Sequence, residues 1–309
     1  GRGLSCGFWF NFGGNTCVSL NVNFDGTISV TEGNPDIGGS RASISQMAAE
    51  EIGVPFEKVR TIIADTNSLG HNEVTDGSRV TFAVGLATIK SARSAIKEMC
   101  RRASKIWGID EDAVRWEDGC AVPAGPNAGD HEPLPIEKIA AMSSQTGGPI
   151  AGHHEVNAEG AGVSFGVHLV DVEVDPETGL TKVLRYTVFQ DAGKAIHPSY
   201  VEGQMQGGAA QGIGWALNEE YIYGDDGRLQ NPGFLDYRIP VASDLPMIEP
   251  VILEIPNPGH PYGVRGVGET SIVPPLAAIG NAVSRAIKSR MFELPMSPPK
   301  VLKAIKKNG

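Results

Sequence analysis

Phe165-Gly166-Val167-His168-Leu169-Val170-Asp171-Val172-Glu173-Val174-Asp175, Pro176-Glu177-Thr178-Gly179 and Leu180-Thr181-Lys182-Val183-Leu184-Arg185-Tyr186-Thr187-Val188-Phe189-Gln190 form the stretch from which the fold is read. The first run alternates with the two-residue period of a strand, the second is a turn, and the third returns, which predicts a long antiparallel hairpin. Downstream, Gln190-Asp191-Ala192-Gly193 leads to His197-Pro198, and a helix is expected from Ser199 or Tyr200 onward. That helix carries Gln204 and Gln211 seven residues apart on one face, among glycines that cost roughly 1 kcal/mol each against alanine. Close packing or a ligand is expected to offset them. Further short strands are expected between Tyr221 and Val241, and a longer one over Ile248–Ile255.

The chain then reaches Gly263-Val264-Arg265-Gly266-Val267-Gly268-Glu269-Thr270-Ser271-Ile272-Val273-Pro274-Pro275. Three glycines in six residues indicate left-handed backbone or a close approach, and the turn ends on one carboxylate, Glu269. Thr270 or Ser271 is expected to cap a helix that runs through Leu276–Ile287. Glu269 reads in two ways, as a capping acid or as a general base at the floor of a pocket.

Upstream, Thr16–Phe24, Asp25-Gly26 and Thr27–Val30 read as a hairpin. Before it, Phe8, Trp9, Phe10 and Phe12 stand between glycines, as core or as an aromatic wall for a flat ligand. Gly38-Gly39-Ser40-Arg41 opens a helix over Ala42–Gly53; Lys58–Asp65 reads as a strand; Gly77-Ser78-Arg79 opens a second, longer helix over Val80–Ile106. Two Gly-Ser-Arg entries into helices offer free N–H groups and a cation to an anion such as phosphate, although each also serves as an ordinary turn. Ala113–Val122 reads as one strand, Ile136–Met142 as a short helix, and the polar, Gly-rich 143–162 as a domain boundary. A short basic helix closes the chain at Pro298–Lys307.

Bulk properties exclude several classes. A net charge of −10 argues against nucleic acid and anionic membranes as partners. No apolar run has the length of a membrane span, and Leu4–Phe12 is too short for a signal peptide and contains Asn11. Cys6, Cys17, Cys100 and Cys120 form no CxxC pair and the seven histidines no HExxH, so neither an iron–sulfur cluster nor a structural zinc is expected in this chain. Reduced thiols indicate a cytoplasmic protein. A Walker P-loop and a GxGxxG in a βαβ setting are both missing.

Gly266-Val267-Gly268-Glu269, Gln190–Pro198, Glu202-Gly203-Gln204 through Gly214, Asp36–Ser40, Asp65-Thr66 and Thr75–Ser78 occur in an order that resembles the molybdenum hydroxylases: xanthine dehydrogenase, aldehyde oxidoreductase and nicotinate dehydrogenase. The resemblance covers nearly the whole chain and is to the C-terminal half of the molybdopterin-binding subunit. It implies an α+β fold of mixed and antiparallel sheets packed with helices, in two molybdopterin-binding sub-domains, 1–150 and 151–309. Glu269 falls on the catalytic glutamate. Gly38, Gly39, Ser40, Arg41, Gly77, Ser78, Arg79, Gln204 and Gly268 fall on cofactor-contacting positions, and Phe8, Trp9 and Phe10 on the substrate pocket. No side chain is expected on the metal, which the pterin dithiolene holds. Four positions depart from the family: Gly39 replaces a common glutamine, His197 the usual asparagine, and the Trp9-Phe10 pair is bulky enough to narrow the pocket.

The resemblance implies hydroxylation of an N-heterocycle or an aldehyde with water as the oxygen source. The cofactor would be molybdopterin, as the cytosine dinucleotide, with molybdenum. The [2Fe-2S] clusters and FAD would sit on an iron–sulfur and a FAD subunit, and the N-terminal half of the molybdopterin subunit would be a separate chain. Glu269 would take the proton from the attacking oxygen, kept ionised by the neighbouring helix N-terminus against desolvation. The alternatives are a non-catalytic scaffold subunit of such a complex, and a metal-free hydrolase pairing Glu269 with Asp191 or Asp236.

Overall fold

The computed structural model describes residues 1–308. In chain order its elements are β1 (Arg2–Phe10), β2 (Gly14–Val22), β3 (Ile28–Glu32), α1 (Ser40–Ile52), β4 (Val59–Ile63), α2 (Val80–Trp107), β5 (Val114–Glu117), β6 (Cys120–Pro123), β7 (Leu134–Pro135), α3 (Ile136–Ala141), α4 (Ser143–Thr146), β8 (Ile150–Ala158), β9 (Val163–Val174), β10 (Thr181–Asp191), α5 (Pro198–Leu217), β11 (Ile248–Leu253), α6 (Pro275–Ile287) and α7 (Pro298–Asn308). The class is α+β, as expected. Two compact units divide the chain, and neither is a continuous segment.

The Glu269 unit comprises Gly1–Asn11, Gly162–Pro256 and Arg265–Gly309. Its sheet has the order β1-β9-β10-β11, antiparallel except for the parallel pair β10/β11. The expected hairpin is the β9/β10 pair, with a bulge between Val183 and Arg185. One face buries Val170, Val172, Tyr186 and Val188 against Met205, Ala209 and Ile213 of α5 and Ala278, Ile279, Ala282 and Val283 of α6. Gly3 allows β1 to lie on α6, since a β-carbon there would stand 1.9 Å from the Ala278 carbonyl oxygen. The opposite face leaves Leu4, Phe8, Phe10, Phe165 and Leu253 exposed.

The Gly-Ser unit comprises Phe12–Ala161 and Asn257–Val264. Its main sheet, β4-β3-β2-β8, pairs β3 and β4 in parallel and the rest antiparallel. Helix α2 packs on β8 and β2, and α1 on β4. The small sheet β5-β6-β7 is antiparallel. At the end of α2, Arg101 and Arg102 both pair with Glu98, and Lys105 donates to the Thr146 carbonyl. The basic end of that helix is therefore used internally.

Four sequence expectations need correction. A single cut at residue 150 does not describe the units, because β1 pairs with β9 rather than with its sequence neighbours and residues 151–161 stay with the Gly-Ser unit. The 143–162 segment contains a nine-residue strand, β8, whose alternate residues Gly152, Val156 and Ala158 are buried. Its polar partners hid the pattern. Ala113–Val122 is a hairpin that turns at Asp118-Gly119, both at positive φ, rather than one strand. Between Tyr221 and Val241 only an isolated bridge, Tyr223 with Leu229, forms.

Candidate functional site

Glu269 is half-buried in helical backbone geometry, φ −78° and ψ −25°, at the start of the one-turn 3-10 segment Thr270–Ile272. The loop before it is pinned on both sides. Upstream, Arg265 pairs with Asp191 at 3.2 Å and donates to the Val163 carbonyl at 3.0 Å. Gln190 donates to the Val267 carbonyl at 2.7 Å. Downstream, the Ser271 hydroxyl lies 2.8 Å from the Gly268 carbonyl and 3.1 Å from the Gln204 carbonyl, which ties the loop to α5. A β-carbon on Gly268 would stand 3.0 Å from Gln204 Oε1. The structure thus brings together Glu269, Gly268 and Gln204.

The capping expectation is not met. Thr270 and Ser271 are buried, with Thr270 bonded to the Ser164 hydroxyl, and α6 begins only at Pro275 behind Pro274. Glu269 is six residues from that helix, too far for its first-turn dipole, which falls off within a turn. Two successive prolines fix φ but supply no side-chain acceptor, which delays the helix start. The glycines of α5 divide. Gly208 and Gly212 would clash with Ser271 and Pro275 if they carried a β-carbon, whereas Gly203 and Gly207 face open space.

Phe8, Trp9 and Phe10 lie at the end of β1. Phe8 and Phe10 are exposed, and Phe8 stands 6.3 Å from Phe165 across the ladder. Trp9 stacks on Phe10 at 5.2 Å. Of the two readings of this cluster, the core is therefore wrong for Phe8, Phe10 and Phe12, all more than half exposed. Two donors at this strand end, Trp9 Nε1 and Asn11 Nδ2, are buried without a hydrogen-bond partner. Asn11 is not among the candidate site residues that the sequence offers. Its only signal was a polar residue inside an aromatic run.

In the Gly-Ser unit, Gly38 and Gly39 are left-handed, φ 65° and 77°, and Gly39 caps α1 without a side-chain bond. The Ser40 hydroxyl is buried without a partner. Gly77 and Ser78 are also left-handed, φ 58° and 55°. Asn34 joins the two loops, donating at 2.9 Å to both the Glu73 carbonyl and the Thr75 hydroxyl. The sequence gives no sign of this role, since an Asn before a proline reads as an ordinary turn former.

The two arginines do not act as free cations. Arg41 pairs with Asp36 at 3.1 Å. Arg79 is fully buried, its guanidinium donating to the carbonyls of Gly13, Glu73 and Asn15, and burial holds it below its ordinary range. Its side chain fastens the loop rather than offering charge to an anion. Nearby in sequence, buried Glu32 accepts the Asn34 amide at 2.6 Å, and burial pushes its carboxyl up to about 7. A cavity of about 460 Å³ lined by Gln211, Trp215, Glu219, Tyr221 and Tyr237 includes none of the predicted site residues.

The glycine-rich entry to α1 with its unsatisfied buried hydroxyl belongs to the Gly-Ser unit, and the pinned acidic loop to the Glu269 unit. Residues 1–246 match the family described as molybdopterin cofactor-binding domain, and the chain belongs to that family. It is 32% identical over 318 positions to the putative xanthine dehydrogenase molybdenum-binding subunit XdhA of Escherichia coli K12, which covers 97% of this chain and 41% of that one. It is 30% identical over 302 positions to the nicotine 6-hydroxylase large subunit of Paenarthrobacter nicotinovorans, covering 94% and 36%. The fold is similar to that of quinoline 2-oxidoreductase from Pseudomonas putida 86, with TM-score 0.85, 24% identity and coverage of 99% and 42%. The chain therefore spans less than half the length of these relatives. No helix among the described residues is long and apolar enough to cross a membrane.

Proposed function

We propose that this chain is the C-terminal half of the molybdopterin-binding subunit of a molybdenum hydroxylase, and that Glu269 is its general base. The observation that carries the reading is the pinned backbone of the loop that presents that carboxylate. Arg265 and Ser271 hold the backbone on either side of it, and Gln204 meets Gly268 directly before it. A base must be held within hydrogen-bond reach of its proton, and a pinned loop meets that requirement better than a flexible one.

The residues fit the group. Ser40 Oγ would donate to the phosphate end of a molybdopterin dinucleotide, of which the cytosine form is our proposal, at a helix start where Asp36 already takes the Arg41 amide at 3.1 Å. Gly77 and Ser78 would bring backbone close to the pterin, and Gln204 would hydrogen-bond to the cofactor near Glu269. When bound, the molybdenum centre supplies the Lewis acid and accepts two electrons from the substrate. This chain's residues orient and deprotonate: Glu269 takes a proton at a carboxylate oxygen, while Phe8, Trp9 and Phe10 wall a flat substrate. Trp9 Nε1 and Asn11 Nδ2 would donate to a ring nitrogen or a carbonyl.

The relatives' names, with the aromatic wall, support an N-heterocycle or an aldehyde as substrate. Their greater length supports a partner segment corresponding to the N-terminal half of the subunit, with iron–sulfur and FAD subunits as electron acceptors. The uncovered apolar face of the β1-β9-β10-β11 sheet is consistent with such partners. Four free cysteines support the cytoplasm. The hydrolase alternative needs a second free carboxylate, and Asp191 is not one, since it is held by Arg265 and by the Gly193 amide at 2.9 Å.

The test is Glu269→Gln in the assembled enzyme. Turnover should fall by about 10²–10⁴-fold while bound molybdenum stays constant. Normal turnover would remove the base assignment; absence of molybdenum and pterin from the unaltered assembly would favour the scaffold. Mass analysis of copurifying chains identifies the partners.

A further inference from the structure

The outer face of the β2/β8 pair carries a second constellation. Cys17 is in register with Glu155 and Ser19 with His153, so four side chains share one face on alternate rungs of the ladder. His153 Nε2 lies 3.7 Å from Cys17 Sγ and 3.8 Å from Glu155 Oε1. Its other nitrogen, Nδ1, is 2.8 Å from Ser19 Oγ. Thiol, imidazole and carboxylate donor atoms all lie within 4.8 Å of one another.

We propose that Cys17, His153 and Glu155 form a binding site for a divalent cation of borderline softness, with zinc the best match. A mixed S, N, O donor set selects the later first-row metals over magnesium or calcium. Bond lengths of about 2.3 Å to sulfur and about 2.0–2.2 Å to nitrogen and oxygen put tetrahedral ligand atoms roughly 3.3–3.6 Å apart. The S–N spacing is already close to that, and the exposed Glu155 closes the remainder by rotation. Three protein ligands leave a fourth position for water. Ser19 supplies the outer contact that such sites use: accepting Nδ1–H, it selects the tautomer with the lone pair on Nε2, the nitrogen that faces the other two ligands.

Cys17 is almost fully buried, and its sulfur lies 3.1 Å from where a Gly70 β-carbon would stand. Burial raises its pKa and Glu155 adds to this, while the Gly70 backbone opposes them. A metal ion takes the thiolate form of a cysteine, so binding displaces the thiol proton to solvent. Nothing in the sequence spacing announces the site. Cys17 lies more than 130 residues from His153 and Glu155, and strand pairing alone joins it to them.

The test uses the full-length assembled enzyme, stripped with chelator and titrated with Co²⁺. One cobalt per chain should bind, with a thiolate-to-cobalt charge-transfer band that Zn²⁺ abolishes by displacement. Cys17→Ser and His153→Gln should remove the band, and Ser19→Ala should weaken binding by about 10–100-fold. Should Cys17→Ser fail to fold, His153→Gln and Glu155→Gln, both at exposed positions, decide the matter with molybdenum content as the folding control. Absence of the band, or its survival in His153→Gln, overturns the proposal.

Discussion

Gly268 and Gln204 meet so closely that a β-carbon on the glycine would stand 3.0 Å from the glutamine's Oε1. The loop that presents Glu269 and the helix that presents Gln204 are set against each other by this one missing side chain. The atom in the way is the far end of a flexible side chain, so it can move aside. Gly268→Ala should therefore cost less than about 1 kcal/mol of stability yet displace the Gln204 amide. We expect at least a tenfold loss of turnover with a nearly unchanged melting temperature. Gly208→Ala is the contrast: its β-carbon would fall 2.0 Å from Ser271 Oγ and 2.9 Å from the Ser271 backbone carbon. Backbone cannot yield, so about 1–3 kcal/mol of stability should be lost. Equal melting temperatures for the two variants would contradict this packing.

Ser40 offers a cleaner separation of folding from binding. Its hydroxyl is buried and makes no hydrogen bond within the chain. Ser40→Ala should leave the cofactor-free protein within about 0.5 kcal/mol of its stability. Molybdenum and pterin content of the purified enzyme should fall several-fold. Full cofactor retention would mean the hydroxyl faces no ligand.

Arg79 is expected to act on stability. Three carbonyls, those of Gly13, Glu73 and Asn15, depend on its guanidinium. Lysine cannot reproduce a planar fork of donors, so Arg79→Lys leaves buried carbonyls unsatisfied at about 1–3 kcal/mol each. Chemical denaturation should show a loss of at least about 2 kcal/mol. A variant of unchanged stability would restore the anion-binding reading of this side chain.

Glu32 links stability to pH. Burial, the largest cause, raises its carboxyl from 4.5 to about 7. The folded chain thus holds this proton more tightly than the unfolded chain does. The resulting stabilisation is complete below pH 4.5 and is lost as pH rises through about 7. Above that, the ionised group leaves the fold up to roughly 3 kcal/mol weaker than a neutral one would. Glu32→Gln should be the more stable protein at pH 8 and should flatten the profile between pH 5 and 7. A parallel profile in both proteins would show that Glu32 does not titrate in this range.

Much of the architecture was legible because it is written in local periodicity. The β9/β10 hairpin, α1, α2, α6 and β11 follow from two-residue or helical spacing bounded by turn residues. Strand β1 escaped because Gly3 and Gly7 stand on its packed side while Leu4, Phe8 and Phe10 are exposed, the reverse of the usual half-buried pattern. It is paired with a strand more than 150 residues away. Strand β8 escaped because its outward residues are His153, Glu155 and Asn157, which read as loop.

By itself the sequence determined the family, the glycine-bounded loops and the identity of the acid at position 269, because these depend on residue type and order. Tertiary structure alone decided that Arg79 fastens a loop and that Arg265 holds Asp191. It also decided that α6 starts too late to act on Glu269, and that Cys17 faces His153 and Glu155. Such facts depend on which carbonyls, carboxylates and side chains the folded chain brings within about 3–4 Å, a distance across which hydrogen bonds and ion pairs form and which sequence separation does not encode.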